Sequence, residues 1–193
     1  TFKGSFTCVS YDLRGHGVSP VPPTPYTLDQ LVEDLEALRA KLGHEQIHVI
    51  GHSLGGVIGP AYARAHPERV LSLGLLSTAA GRTDEDRAIL FGVLEKMRTN
   101  GIPQTLDTFV NRWYTDEFIA ARPDVIETQL KRVTETPEDV LFSVFEIYAS
   151  SETGPWLRGI TCPCLVLTAE RDGGSNPRLN RFIAEQLPPM DFG

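Results

Sequence analysis

The sequence predicts an α/β protein: a mostly parallel, doubly wound sheet interrupted by a block of helices. Three observations predict it. Short apolar runs alternate with amphipathic stretches over residues 6–80 and again after 158, the rhythm of parallel strands joined by crossover helices. Residues 70–76 (VLSLGLL) are almost continuously apolar, as a strand covered on both faces requires. Between 81 and 157 helical periodicity continues, but no convincing strand occurs. The expected organisation is one core, residues 1–80 and 158–193, with a helical insertion at 81–157.

The elements follow in order. Residues 6–11 (FTCVSY) read as a short buried strand, followed by the two-glycine loop DLRGHGVS. Prolines 20, 22, 23 and 25 hold the next stretch open. A helix then begins with Thr27 as N-cap and Gln30 completing a capping box, with Tyr26 and Leu31 as a hydrophobic staple. Leu28, Leu31, Val32, Leu35, Leu38 and Leu42 recur at helical spacing, and Gly43 supplies the stop. Residues 46–50 form a second strand, and 54–66 a helix ended by Pro67. After the apolar strand at 70–76, helices are expected near 84–99, 104–112, 123–135 and 137–149. The last two open with Pro-Asp and Pro-Glu, suited to a first helical turn. A fourth strand at 164–168 and a helix at 177–187 close the pattern.

Composition narrows the function. A chain of 193 residues can bury one core, and 41% hydrophobic with 22% charged residues is ordinary for a folded domain. The net charge is −7, without a basic cluster, which argues against nucleic acid and anionic membranes as partners. No apolar run is long enough to span a bilayer, and a cytoplasmic location is expected. Cys8, Cys162 and Cys164 lie in or beside apolar segments and read as reduced core residues. Cys162 and Cys164 lack neighbouring His or Cys partners, so no metal centre is expected, and nothing implies an organic cofactor.

The chemistry concentrates in HVIGHSLGGVIG, residues 48–59. Gly51-His52-Ser53-Leu54-Gly55 fits G-x-S-x-G between a predicted strand and a predicted helix, the context in which this pattern presents a nucleophilic serine. The serine sits on a very tight turn, and a β-carbon at Gly51 or Gly55 is expected to strike the neighbouring strand or helix. The turn lifts the hydroxyl above the C-terminal edge of the sheet, where open α/β sheets bind ligands. The Leu54 N–H, at the positive end of the following helix, can donate to an oxyanion. The plainer alternative is a glycine-rich turn that packs a helix tightly against a strand.

With these residues in view, the chain resembles the α/β-hydrolase superfamily over most of its length. YDLRGHGVS is similar to the family's segment after its fourth strand, GHSLGG to its nucleophile turn, and PCLVLTAERD to its seventh strand with the acid. The helical block 81–157 stands where that family carries its cap. LSTAAGR followed by RWYTDEF resembles the 3-oxoadipate enol-lactonase group. The resemblance implies Ser53 as nucleophile and Asp172 as the acid that orients a catalytic histidine; Asp172 also reads as a loop-capping residue in DGGSNP. Glu170 is a weaker candidate for the acid. His52 is typical of the family beside the serine, while His16, His44, His48 and His66 read as structural or solvated. Arg112, Trp113, Tyr114, Phe142, Phe145 and Trp156 are candidates to line the substrate site, against the alternatives of cap core and a surface ion pair.

The family order Ser…Asp…His requires a histidine after Asp172, and none follows His66. The chain also starts without Met and enters a strand almost at once. Both ends are therefore expected to be truncated relative to the parent polypeptide. The piece alone is expected to hydrolyse little, since loss of the base costs about a million-fold in turnover. The expected activity is that of a serine hydrolase acting on a small-molecule ester or lactone through an acyl-enzyme. Perhydrolysis, carbon–carbon bond hydrolysis and a non-catalytic ligand-binding homologue stay open as alternatives. A scaffold role is disfavoured by the strained turn, and relatives with an aspartate nucleophile are disfavoured by Ser53.

Overall fold

The structure, a computed structural model, describes residues 4–189, without the side chains of residues 107–109. The first three and last four residues of the predicted core therefore lie outside it. The elements run α1 (Leu28–Lys41), β1 (Ile47–His52), α2 (Gly55–Ala65), a 3₁₀ turn (Pro67–Arg69) and β2 (Val70–Leu76). There follow α3 (Asp84–Asn100), α4 (Ile102–Trp113), α5 (Asp116–Ala121), α6 (Pro123–Glu135), α7 (Glu138–Ser150), α8 (Gly154–Leu157), β3 (Cys164–Leu167) and α9 (Pro177–Gln186). The three strands form one parallel sheet in the order β1-β2-β3.

Strand order explains which face is covered. Each crossover advances the sheet in the same direction, and right-handed crossovers then place their helices on one side. Val49, Leu73 and Leu75 pack with Ile58 and Tyr62 of α2, Leu157 of α8 and Ile183 of α9 in the main core. The opposite face carries Ile50 and Leu165, aligned across Gly74, and these are 60% and 61% exposed. Among the described residues, helices cover one face of these three strands, as a part of the expected incomplete doubly wound sheet does. β2 is central, yet its Leu71 is exposed.

Residues 6–11 are a second correction. They form no strand and are exposed throughout. A strand exists through ladder bonds to a neighbour about 4.8 Å away, and none of the described strands pairs with this segment. The Phe6 ring stands edge-on to His48 of β1, with centroids 5.5 Å apart. Cys8 is accordingly exposed and outside the core, whereas Cys162 is buried and Cys164 half-buried; all three are free thiols.

α1 forms as its local chemistry dictates. Thr27 Oγ1 accepts from the Gln30 N–H, and the Thr27 N–H donates to Gln30 Oε1 at 3.0 Å. Leu31, Val32 and Leu35 are buried, but Leu42 is exposed. Arg39 is buried in its stead, bonded to Glu36 and to the carbonyls of His44 and Glu45. The Tyr62 hydroxyl donates to Glu36 from α2 at 2.7 Å. Hydrogen bonds from Arg39 and Tyr62 hold the Glu36 carboxyl down at about 2.

Helices α3, α4 and α7 share a second, smaller apolar cluster, while Val140, Val144 and Ile147 of α7 belong to the main core. Val93 and Met97 of α3 meet Ile102 and Leu106 of α4, with Phe142 and Phe145 of α7 packed against them. Glu152 joins the two chain connections of this segment. Its carboxylate accepts from the N–H groups of Gly81 and Gly154, both at 2.9 Å, and from Arg82 N–H and Arg87 Nη2.

Candidate active site

The site lies where β1, β2 and β3 end. Ser53, the residue after β1, has φ +53°, and its N–H donates to Leu76 O at 3.0 Å. Ser77, after β2, has φ +43° and donates to Leu167 O at 2.8 Å. These are the only two non-glycine residues with positive φ among the described residues. Left-handed backbone costs an L-residue roughly 1–2 kcal/mol, so strain gathers at neighbouring points on one sheet edge. Ser53 is half-buried, and its hydroxyl has no hydrogen-bond partner among the described residues.

The glycines around Ser53 divide differently from the expectation. A β-carbon on Gly51 would stand 2.0 Å from Gly55 O and 2.2 Å from Gly55 C. Gly55 itself has open space around that position, which corrects the expected clash there. The second close approach belongs to Gly56, whose β-carbon would meet Thr78 Cβ at 2.4 Å. Gly56 packs against the chain that leaves β2, whereas Gly55 faces away from it. At the start of α2, the Leu54 N–H has no acceptor among the described residues, as the first donors of a helix do not.

Asp172 follows β3 in the loop before α9. Its Oδ1 accepts from Gly174 N–H at 2.8 Å and Ser175 N–H at 2.7 Å, and its Oδ2 accepts from Thr168 Oγ1 at 3.3 Å. The carboxylate is thus built into a tight loop, and Oδ2 carries only one long contact. Glu170 is exposed on the same loop.

None of the five histidines bonds to Ser53 or Asp172 among the described residues. His52 is exposed on the strand face shared by His48 and Ile50. His48 Nδ1 meets Ser72 Oγ at 2.7 Å, and His16 Nδ1 meets Arg14 O at 3.1 Å. His66 leans on the Tyr62 ring, and His44 is exposed.

The candidate lining residues scatter. Phe142 and Phe145 are half-buried and pack against the cluster of α3 and α4, with Arg98 over the Phe142 ring. Trp156 packs under Arg64 of α2 at 5.1 Å. Tyr114 stacks on Phe118 at 5.4 Å, and Trp113 is 50% exposed. Arg112 alone approaches the acid loop. A β-carbon on Gly173 would lie 3.2 Å from Arg112 O, and one on Gly174 would lie 3.9 Å from Arg112 Nε. Arg171 fastens the same loop to α5 through Glu117 at 3.2 Å.

Sequence reasoning missed the buried polar groups beneath these loops. Thr78 Oγ1 donates to Ser53 O at 3.0 Å, and Asn180 Nδ2 donates to Thr78 O at 2.9 Å and Ser175 O at 2.7 Å. An asparagine in the middle of α9, where helix propensity disfavours it, was the available signal. Below the loop, the Cys164 thiol is pushed up by its hydrogen bond to Cys162 and by burial. Among the described residues, no group of three or more His, Cys, Asp or Glu could hold a metal ion, and no helix is long and apolar enough to cross a membrane.

A parallel sheet with its strained serine turn, covering helices and inserted helical segment defines an α/β-hydrolase-type protein, and comparison with known proteins agrees. The α/β-hydrolase fold family matches residues 2–115, and the chain belongs to that family. It is 30% identical over 190 residues to 3-oxoadipate enol-lactonase 2 of Acinetobacter baylyi, covering 96% of this chain and 69% of that protein. The enol-lactonase from Burkholderia xenovorans LB400 superposes with a TM-score of 0.82 at 29% identity, over 92% of this chain and 67% of that one. A thermophilic esterase from Thermogutta terrifontis gives 0.80 at 28%, over 92% and 66%.

Proposed function

We propose that the parent protein is a serine hydrolase that cleaves a small-molecule ester or lactone through an acyl-enzyme on Ser53. The observation that carries this reading is the backbone of Ser53, at φ +53° between β1 and α2. The strain fixes a hydroxyl that nothing described binds, beside an unpaired Leu54 N–H. The relatives named as enol-lactonases and an esterase support the reaction class.

In this reading a histidine takes the Ser53 proton while Oγ attacks the acyl carbonyl. Asp172, its Oδ1 already held by two N–H groups, offers Oδ2 to orient that histidine. The tetrahedral oxyanion takes the Leu54 N–H as one donor; removal of one such donor typically costs about 3–4 kcal/mol of transition-state stabilisation. The histidine returns the proton to the leaving alkoxide, and water then releases the acid and restores Ser53. The family resemblance implies the order Ser, Asp, His, with the base a histidine after Asp172. Helices α3–α7 act as the cap, with Arg112 the candidate closest to Asp172.

The test is hydrolysis of a panel of short esters and five- and six-membered lactones by the full-length protein, with Ser53→Ala as control. Turnover lost in Ser53→Ala supports the reading. Turnover that survives the substitution contradicts it, and success on esters with failure on every lactone removes the lactonase half.

A further inference from the structure

The geometry points to Asn180 as a positioning residue that ties the serine turn to the acid loop; the inference rests on the roles proposed for Ser53 and Asp172. Asn180 sits in α9 and is 4% exposed. Its single amide nitrogen lies among three carbonyl oxygens: Ser175 O at 2.7 Å, Thr78 O at 2.9 Å and Asn176 O at 3.2 Å. Three acceptors around one atom fix the amide's orientation, because the flipped form would set oxygen against oxygen.

The bonds make a continuous chain. Ser53 O accepts from Thr78 Oγ1, and Thr78 O accepts from Asn180. The same Asn180 amide holds Ser175 O, and the Ser175 N–H donates to Asp172 Oδ1. Thr168 Oγ1 closes the loop on Ser175 O at 2.9 Å. Thr78, Ser175 and Asn180 are all buried. Two loops far apart in sequence, after β1 and after β3, are thereby held in one register through the loop after β2. Asn180 Oδ1 is itself buried without a partner among the described residues. The site thus carries an unsatisfied acceptor for the sake of the two hydrogens on the other end. Aspartate lacks those hydrogens and leucine lacks any donor.

The test uses the full-length protein and Asn180→Leu, with fluorophosphonate labelling of Ser53 to count competent sites. The expected result is a fall of about a hundredfold in kcat per labelled site, the scale of a displacement near 1 Å. KM changes by less than about twofold, because the substrate contacts themselves are intact. The acid limb of the kcat/KM profile moves to lower pH, because a loosened Asp172 stabilises the protonated histidine less. Amide exchange at Gly174 and Ser175 speeds up. A loss confined to the labelled fraction, with unchanged kcat per site and an unmoved acid limb, overturns the inference. If the wild type is not labelled at Ser53, the hydrolase reading fails. Exchange at Ser175 then decides the tether alone: faster exchange in the variant supports it, and unchanged exchange overturns it. Should Asn180→Leu not fold, Thr78→Val cuts the same chain one link away and is held to the same exchange criterion.

Discussion

Gly51→Ala tests the serine turn at its tightest point. The added β-carbon would stand 2.0 Å from Gly55 O, 2.2 Å from Gly55 C and 2.7 Å from Gly56 N, where ordinary contacts begin at 3.4 Å. All three atoms are backbone, so no side chain can swing aside. Overpacking in a tight site costs typically about 1–3 kcal/mol, and a backbone collision belongs at the upper end. With a urea dependence of about 2 kcal/mol per molar, the unfolding midpoint falls by roughly 1–1.5 M. The turn that does fold is displaced by an appreciable part of an ångström, so the rate of Ser53 labelling drops about a hundredfold. Gly55→Ala is the internal control: its β-carbon meets nothing within 4 Å, and a substitution that touches nothing stays within about 0.5 kcal/mol of the parent. The assay is urea denaturation together with fluorophosphonate labelling kinetics on the same samples. Equal behaviour of the two variants, or a Gly51→Ala protein with unchanged midpoint and labelling, would refute the reasoning.

Other predictions test separate parts of the account. Ser53→Gly relieves the left-handed strain and should be about 0.5–1 kcal/mol more stable than Ser53→Ala, as read by thermal unfolding, with activity lost in both. Glu36 titrates at about 2 in the folded protein, below the 4.5 of a free carboxyl. Its contribution is complete above pH 4.5 and is lost as pH falls from there toward 2, so Glu36→Gln should flatten the stability curve across that window. Thiol modification should proceed first at the exposed Cys8, while Cys164, whose thiol donates to Cys162 O and is pushed up, reacts last; peptide mapping over a time course checks the order. Thr27→Ala removes the hydroxyl that accepts from the Gln30 N–H, leaves the backbone N–H that donates to Gln30 Oε1, and should cost about 1 kcal/mol in urea unfolding.

What could be read from the sequence was local. The start of α1 follows from Thr27 and Gln30 three residues apart, and the serine turn from Gly51 meeting Gly55 four residues on. α6 falls where Pro123 opens it. Features set by distant partners were not legible. Residues 6–11 have strand composition, but a strand needs a neighbour that composition does not supply. The close approach at Gly56 depends on Thr78, 22 residues away, so attention fell on Gly55. Asn180 bonds a carbonyl 102 residues distant, and Arg39 is buried because carbonyls beyond its helix turn back to meet it. Aromatic content alone did not show that Phe142 and Phe145 pack, half-buried, against the α3–α4 cluster.

The most direct measurement of the central claim is covalent. Full-length protein is treated with a fluorophosphonate, digested, and the adduct located by mass spectrometry. The account predicts one adduct per chain, on Ser53, blocked by prior incubation with a hydrolysable ester. A folded protein that takes up no label, or takes it up on another residue, contradicts it.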